Sequence, residues 1–145
     1  MWKRIQTLYL AISTGLLISL FLCRYATDMS SSGRDAVIMY YDYLPYLLML
    51  ITLLTANIIA LSAFKSPMLQ ARISIISALA ALGFQIWLAV DFFRYTGQMT
   101  FSVSMLFPLL ITFLNFLAGR SAMLDGFTIQ AAQRRKNQGH NKKRR

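Results

Sequence analysis

The chain has 145 residues, of which 57% are hydrophobic and only 14% charged, and its mean hydropathy of +0.50 excludes an ordinary soluble globular domain. Fifteen Lys and Arg stand against five acidic residues, all Asp, and the net charge of +10 is concentrated at the termini and in one short loop. A single cysteine, Cys23, and a single histidine, His140 in a polar tail, exclude an intramolecular disulfide and a Cys/His metal cluster, and no cofactor is implied.

The first apolar run spans 5–23, behind the charged start "MWKR". It is longer than a signal-peptide core, which takes about seven to fifteen residues, and no small-x-small cleavage site follows it. Arg24 stands three before a cut after Ala26, and Leu22 stands where a lipoprotein signal ending at Cys23 needs a small residue. The run is therefore expected to stay as a helix. Further apolar runs cover 44–64, 73–93 and 101–119. Each approaches the roughly 20 residues that an α-helix needs to cross about 30 Å of hydrocarbon. Lipid offers the backbone no hydrogen-bond partner, so the expected fold class is all-α, an integral membrane four-helix bundle with short loops.

Counting Lys and Arg on the two sides gives a strong asymmetry. Lys3, Arg4, Lys65, Arg72, Arg120, Arg134, Arg135, Lys136, Lys142, Lys143, Arg144 and Arg145 share one side, and only Arg24, Arg34 and Arg94 the other. The positive-inside rule then places both termini in the cytoplasm. On the outer side, Tyr40, Tyr41, Tyr43 and Tyr46 gather where the chain re-enters the bilayer; Trp2, at the cytoplasmic side, and Tyr95 sit at comparable interfacial levels, and this pattern predicts interfacial aromatic belts.

The spans carry no midplane ionisable group, which removes the usual mark of a proton or ion path. Asp91, at the outer end of the third span, has Arg94 at i,i+3 and is expected to form an interfacial ion pair. The polar residues left inside are the amides Asn57, Gln85 and Asn115, expected to act as packing contacts between helices; Asn57 and Asn115 lie at depths that let them meet. Small residues recur every four positions at Ala11, Gly15, Ser19 and Cys23, at Thr52, Ala56 and Ala60, and at Ser77 and Ala81, which predicts close-packed faces. Pro108 should kink the fourth span or make it start late, whereas Pro45 suits a first helical turn.

Beyond the fourth span, 120–132 is expected to form a short juxtamembrane helix with Met123, Leu124, Phe127 and Ile129 turned to the interface, and 133–145 a disordered basic tail. The tail has no aromatic residue for base stacking, which argues against sequence-specific nucleic-acid binding. Anionic headgroups of the cytoplasmic leaflet are the simpler partner, at about 1 kcal/mol per cation near the surface. A protein or ribosome partner and a homo-oligomer stay open.

Three stretches together resemble an uncharacterised bacterial membrane family, the domain of unknown function family 4293. "KRIQTLYL" is similar to its opening pattern through Arg4, Ile5, Gln6, Thr7, Tyr9 and Leu10, and "FKSPMLQARI" to its inner loop through Lys65, Leu69, Gln70 and Arg72. "RSAMLDGFTIQAAQRR" resembles its end through Arg120, Asp125 and Arg134, although Gln133 and a long basic extension stand where the family tends to be acidic. The resemblance implies a four-helix bacterial inner-membrane protein with both ends inside. It implies no activity.

No nucleophile–base pair or phosphate loop appears, so the expectation is a non-enzymatic membrane protein, a scaffold or accessory subunit working through its cytoplasmic face and basic tail. A small transporter or channel, and a ribosome- or partner-tethering factor, are the alternatives. The residues expected to meet lipid or a partner are Arg4, Gln6, Thr7, Lys65, Gln70, Arg72, Arg120, Asp125, Arg134, Arg135, Lys136, Lys142, Lys143, Arg144 and Arg145.

Overall fold

The computed structural model describes residues 2–28 and 36–142. Arg34, Lys143, Arg144 and Arg145 lie outside the described residues, as do the side chains of Lys3, Arg4 and Lys142. Helix α1 covers Trp2–Leu22, strand β1 Arg24–Asp28, strand β2 Ala36–Met39, α2 Leu44–Ser62, α3 Pro67–Tyr95, strand β3 Met99–Phe101 and α4 Phe107–Lys142, with short 3-10 turns at Ala63–Lys65 and Val103–Leu106. All four helices are long and apolar enough to cross a membrane. The chain is thus a multi-pass four-helix membrane protein. Large apolar side chains on every helix, among them Leu8, Ile58, Ile76, Leu79 and Phe113, are exposed around the bundle as a lipid-facing belt needs.

The prolines set helix starts. Pro45 and Pro67 sit in the first turns of α2 and α3, where a missing N–H costs nothing. Because Pro67 opens α3, the segment from Met68 to Arg72 is its first two turns and not a loop, so the third helix begins six residues earlier than the apolar run suggested. Pro108 is the second residue of α4, so the fourth span starts late, behind β3 and a 3-10 turn.

The non-helical segments at the end of the bundle away from the termini form a sheet that hydropathy did not announce. Its order is β2-β1-β3, antiparallel throughout, with Ala26 opposite both Ile38 and Phe101. The sheet closes the bundle: Tyr25, Ala26 and Tyr40 join Leu17, Leu20, Leu50, Phe84, Leu88 and Ile111 in one core. This revises the aromatic belt. Tyr41 and Tyr43 are exposed as a belt requires, but Tyr40 and Tyr46 are fully inside. Each of these two tyrosine hydroxyls has a partner, as burial demands. Tyr40 hydrogen-bonds Ser104, which itself donates to the Arg24 carbonyl at 2.8 Å, and Tyr46 donates to Asp91. Asp91 therefore takes its hydrogen bond from Tyr46 and forms no ion pair with Arg94. Loss of water pushes the Tyr40 hydroxyl up to about 12, and burial raises Tyr25 as well, so both stay protonated at neutral pH.

The close-packed faces differ from expectation on α1 and α2, whereas Ser77 and Ala81 on α3 are buried as expected. On α1 the buried line is Gln6, Leu10, Ser13, Leu17 and Leu20, while Ala11 and Gly15 are exposed. On α2, Thr52 is exposed and only Ala60 of the small residues is buried. Lipid-facing and core-facing positions are equally apolar, so a stripe of small residues did not by itself select the inner face. The tight approach lies instead between α3 and α4, where a Cβ on Gly119 would stand 2.8 Å from Ile75 Cγ1 and 3.4 Å from the Ala71 carbonyl oxygen.

A Gly119→Leu substitution should accordingly lower the thermal transition in mild detergent sharply, whereas Gly15→Leu, with nothing within 4 Å of the added Cβ, should leave it nearly unchanged. Circular dichroism melts of the two variants compare them directly; equal melts would remove the assignment of the packed face.

Candidate functional site

The interior has two unlike halves. Towards the sheet it is filled by Leu17, Leu20, Leu50, Leu53, Phe84 and Leu88. Towards the termini it is mixed: a small apolar cluster of Leu10, Ala60 and Ala118 lies among the buried polar side chains of Gln6 and Ser13 on α1, Asn57 on α2, Gln70, Ser74 and Ser77 on α3, and Asn115 on α4. On α3 the spacing of Gln70, Ser74 and Ser77 places them on one face, which continues as Ala81, Phe84 and Leu88. A single stripe thus changes from polar to apolar along the helix.

One junction joins all four helices. The Asn57 amide nitrogen donates to Ser13 Oγ at 2.9 Å. The Asn57 carbonyl oxygen accepts from Ser77 Oγ at 2.8 Å and from the Asn115 amide at 2.9 Å. The Asn115 amide also donates to Ser77 Oγ at 3.0 Å. All four residues are 0% exposed. Counted from Arg4, Lys65, Arg72 and Arg120 at 1.5 Å per residue, they sit about 7 to 14 Å inside the cationic flank, so their depths are mutually compatible. Both acceptor positions of the Asn57 carbonyl are used, which fixes its orientation; the Asn115 carbonyl oxygen, by contrast, is buried with no partner, as are Gln70 Nε2 and Ser74 Oγ.

At the end bearing the termini, Gln6 is 2% exposed and its amide donates to the Asp125 carboxylate, tying α1 to α4. Gly126 packs on Met68, tying α4 to the first turn of α3. Beside these contacts opens a cleft of about 570 Å³ lined by Ile5, Tyr9, Arg120, Ser121, Leu124 and Asp125, among others. Lys65, Arg72 and Arg120 are exposed around this end, and Thr7 is half-buried.

The structure therefore sorts the expected site residues. Asn57 meets Asn115, and Gln6 meets Asp125. Gln6 and Gln70 are buried between helices, so neither offers its amide to a partner or lipid as expected; each is a long polar side chain on the inward face of its helix. Gln85 joins neither group: it is half-buried, nearer the sheet, with its amide oxygen unpartnered. Ser13 was missed, and Ser77 was expected only as a small residue of a packed face, not as a hydrogen-bonding partner. The signal for Ser13 was depth, since it lies close to the level of Asn57 when each is counted from its own cationic flank.

Helix α4 also differs from expectation. It runs without a break for 36 residues, about 54 Å. The separate juxtamembrane helix over 120–132 and the disordered tail from 133 give way to one continuous helix as far as Lys142. Gly126 does not interrupt it, and this residue packs beside Met68 at ordinary van der Waals distance. From Phe127 to Gly139 every residue is exposed. At 100° per residue Phe127 and Ile129 point to opposite sides, and Arg134, Arg135 and Lys136 spread around the helix, so the segment has no apolar face on which to lie flat on a bilayer.

Residues 2–134 match the family described as a domain of unknown function, DUF4293. The chain belongs to this family. The matched region holds every member of the four-helix junction and the Gln6–Asp125 contact, while 135–145 lie beyond it. A comparison with curated proteins finds no match.

Replacing Asn57 by Ala should destabilise the protein by about 1–2 kcal/mol, against roughly 0.6 kcal/mol for Ser13→Ala, because Asn57 serves three helices and Ser13 one. Unfolding titrations in mixed micelles measure the difference. Equal losses would mean that the junction does not centre on Asn57.

Proposed function

We propose that this DUF4293 protein is a non-enzymatic accessory subunit or scaffold of the bacterial cytoplasmic membrane, with both termini in the cytoplasm. Its working element is the basic extension of α4. The excess of Lys and Arg at the end bearing the termini supports that orientation. An interior blocked by apolar side chains on the sheet side supports a role other than transport, since among the described residues no polar track continues past the junction to the sheet.

The observation that carries the reading is the continuity of α4. Lys65, Arg72 and Arg120 stand at headgroup level, where anionic lipid would hold the bundle in place. Arg134 follows Arg120 by fourteen residues, or about 21 Å of helix, more than twice the Debye length of about 8 Å at physiological salt. A helix that leaves the bundle as a rod carries these cations out of reach of lipid charge. An acidic macromolecular surface in the cytoplasm is the partner that such a rod can meet.

A photo-cross-linking residue at Phe127, in the full-length protein in native membranes, should give discrete protein adducts that disappear when Arg134, Arg135 and Lys136 are all replaced by Gln. The same probe at Leu79 should give lipid adducts only. Lipid adducts alone at Phe127, or protein adducts indifferent to the three replacements, would contradict the proposal.

A further inference from the structure

The end of the bundle that carries the sheet holds a second site, independent of the α4 reading. A cavity of about 330 Å³ opens between the outer end of α3, the start of α2 and strands β1 and β3. Its wall contains the aromatic rings of Tyr43, Tyr46, Trp87 and Tyr95 together with two opposite charges, Asp91 and Arg94. The charges are one turn apart on the same side of α3, and they do not pair with each other. A wall with both signs disfavours a ligand that carries only one.

Depth gives the next constraint. No charged residue lies between Arg72 and Asp91, and that interval is about 28 Å of helix, close to the 30 Å of a hydrocarbon core. With Arg72 at one headgroup layer, Asp91 and Arg94 are at the other. The Asp91 carboxylate is held in place from inside: Tyr25 and Tyr46 hydroxyls lie 3.3 Å apart, and Tyr46 in turn donates to Asp91. The ring of Tyr46 stands edge-on to Tyr43 and Trp87, with centroids 4.8 and 6.0 Å away. Tyr43, Trp87 and Tyr95 are each between 37% and 48% exposed, so their surfaces are available to a ligand.

We propose that this cavity binds the headgroup of a zwitterionic phospholipid, with its phosphate on Arg94 and its ammonium on Asp91 among the aromatic rings. Guanidinium matches phosphate in a two-point contact, and aromatic faces attract an ammonium that a carboxylate also neutralises. The ethanolamine or choline bridge sets phosphate and ammonium at a separation suited to side chains one helical turn apart. At about 330 Å³ the cavity is at the small end of ligand pockets, so it accepts a headgroup and leaves the acyl chains against the apolar belt. A soluble molecule with the same phosphate–ammonium pair shares this chemistry, and the test separates the two sources.

The full chain with Trp2→Phe keeps Trp87 as its one tryptophan, and its emission can be titrated with dihexanoyl phosphatidylethanolamine, dihexanoyl phosphatidylglycerol and glycerophosphoethanolamine. Saturable binding of the ethanolamine lipid is expected, at least about tenfold tighter than the glycerol lipid, which lacks the ammonium. Asp91→Asn keeps an acceptor for the Tyr46 hydroxyl and removes only the charge, and Arg94→Gln removes the phosphate partner; each should weaken binding about tenfold without moving the thermal transition. Equal affinity for glycerophosphoethanolamine would support the headgroup site while assigning its source to solution. Absence of a saturable signal, equal binding of the two lipids, or indifference to both substitutions would overturn the proposal.

Discussion

The rest of this bundle depends on one requirement: a buried amide in hydrocarbon has to find hydrogen-bond partners within the protein. Asn57 meets it through Ser13, Ser77 and Asn115, so a single side chain on α2 contacts each of the other three helices. Between lipid and protein there is little hydrophobic gain to hold helices together, because acyl chains are as apolar as leucine. Individual contacts of this kind contribute modestly, about 0.6 kcal/mol on average. Their geometry contributes more, since sliding any one helix by a turn would strand the amide. The junction thus sets the register, and Gly119 against Ile75 sets how closely α3 and α4 can follow it.

From this register the two ends acquire different characters. Towards the termini, past a small apolar contact of Leu10, Ala60 and Ala118, lies the Gln6–Asp125 hydrogen bond, and the three stretches resembling the family pattern are drawn together on α4, through Asp125 for α1 and Gly126 for the start of α3. Family membership over residues 2–134 agrees with this, since the match runs from α1 past Asp125 and so includes both contacts. Towards the sheet, apolar packing takes over, and Tyr25, Tyr40 and Tyr46 seal the core while keeping their hydroxyls hydrogen-bonded. The sheet is what makes a headgroup-sized cavity at that end, because β1 and β3 bring Tyr25 and Met99 over the last turns of α3.

Fold class was legible because it rests on length: four runs of about twenty apolar residues have few alternatives in lipid. The meeting of Asn57 and Asn115 was legible for a similar reason, since depth can be counted from flanking cations. Which side of a helix faces its neighbours was not. A hydrophobic stripe separates core from surface only in water, and here Gly15 on the lipid side and Leu17 on the core side carry the same apolar signal. The tyrosines misled for a related reason: an amphipathic ring suits both a headgroup belt and a buried site with a partner, and only the strands decide that Tyr40 and Tyr46 take the second. From Gln133 onward, composition alone suggested a loose tail. No proline follows Gly126, and the strong helix formers from Gln130 to Lys136 carry α4 through Gly139 to Lys142.

Side-chain amide hydrogen exchange by NMR in bicelles reads directly whether the Asn57 and Asn115 amides are locked in the hydrogen bonds of the four-helix junction. Asn137, exposed on the α4 extension, supplies the reference in the same molecule. The Asn57 and Asn115 Nδ2 protons should exchange at least about a hundredfold more slowly than those of Asn137, as buried and bonded groups do. Exchange of all three amides at a common rate would contradict that locking.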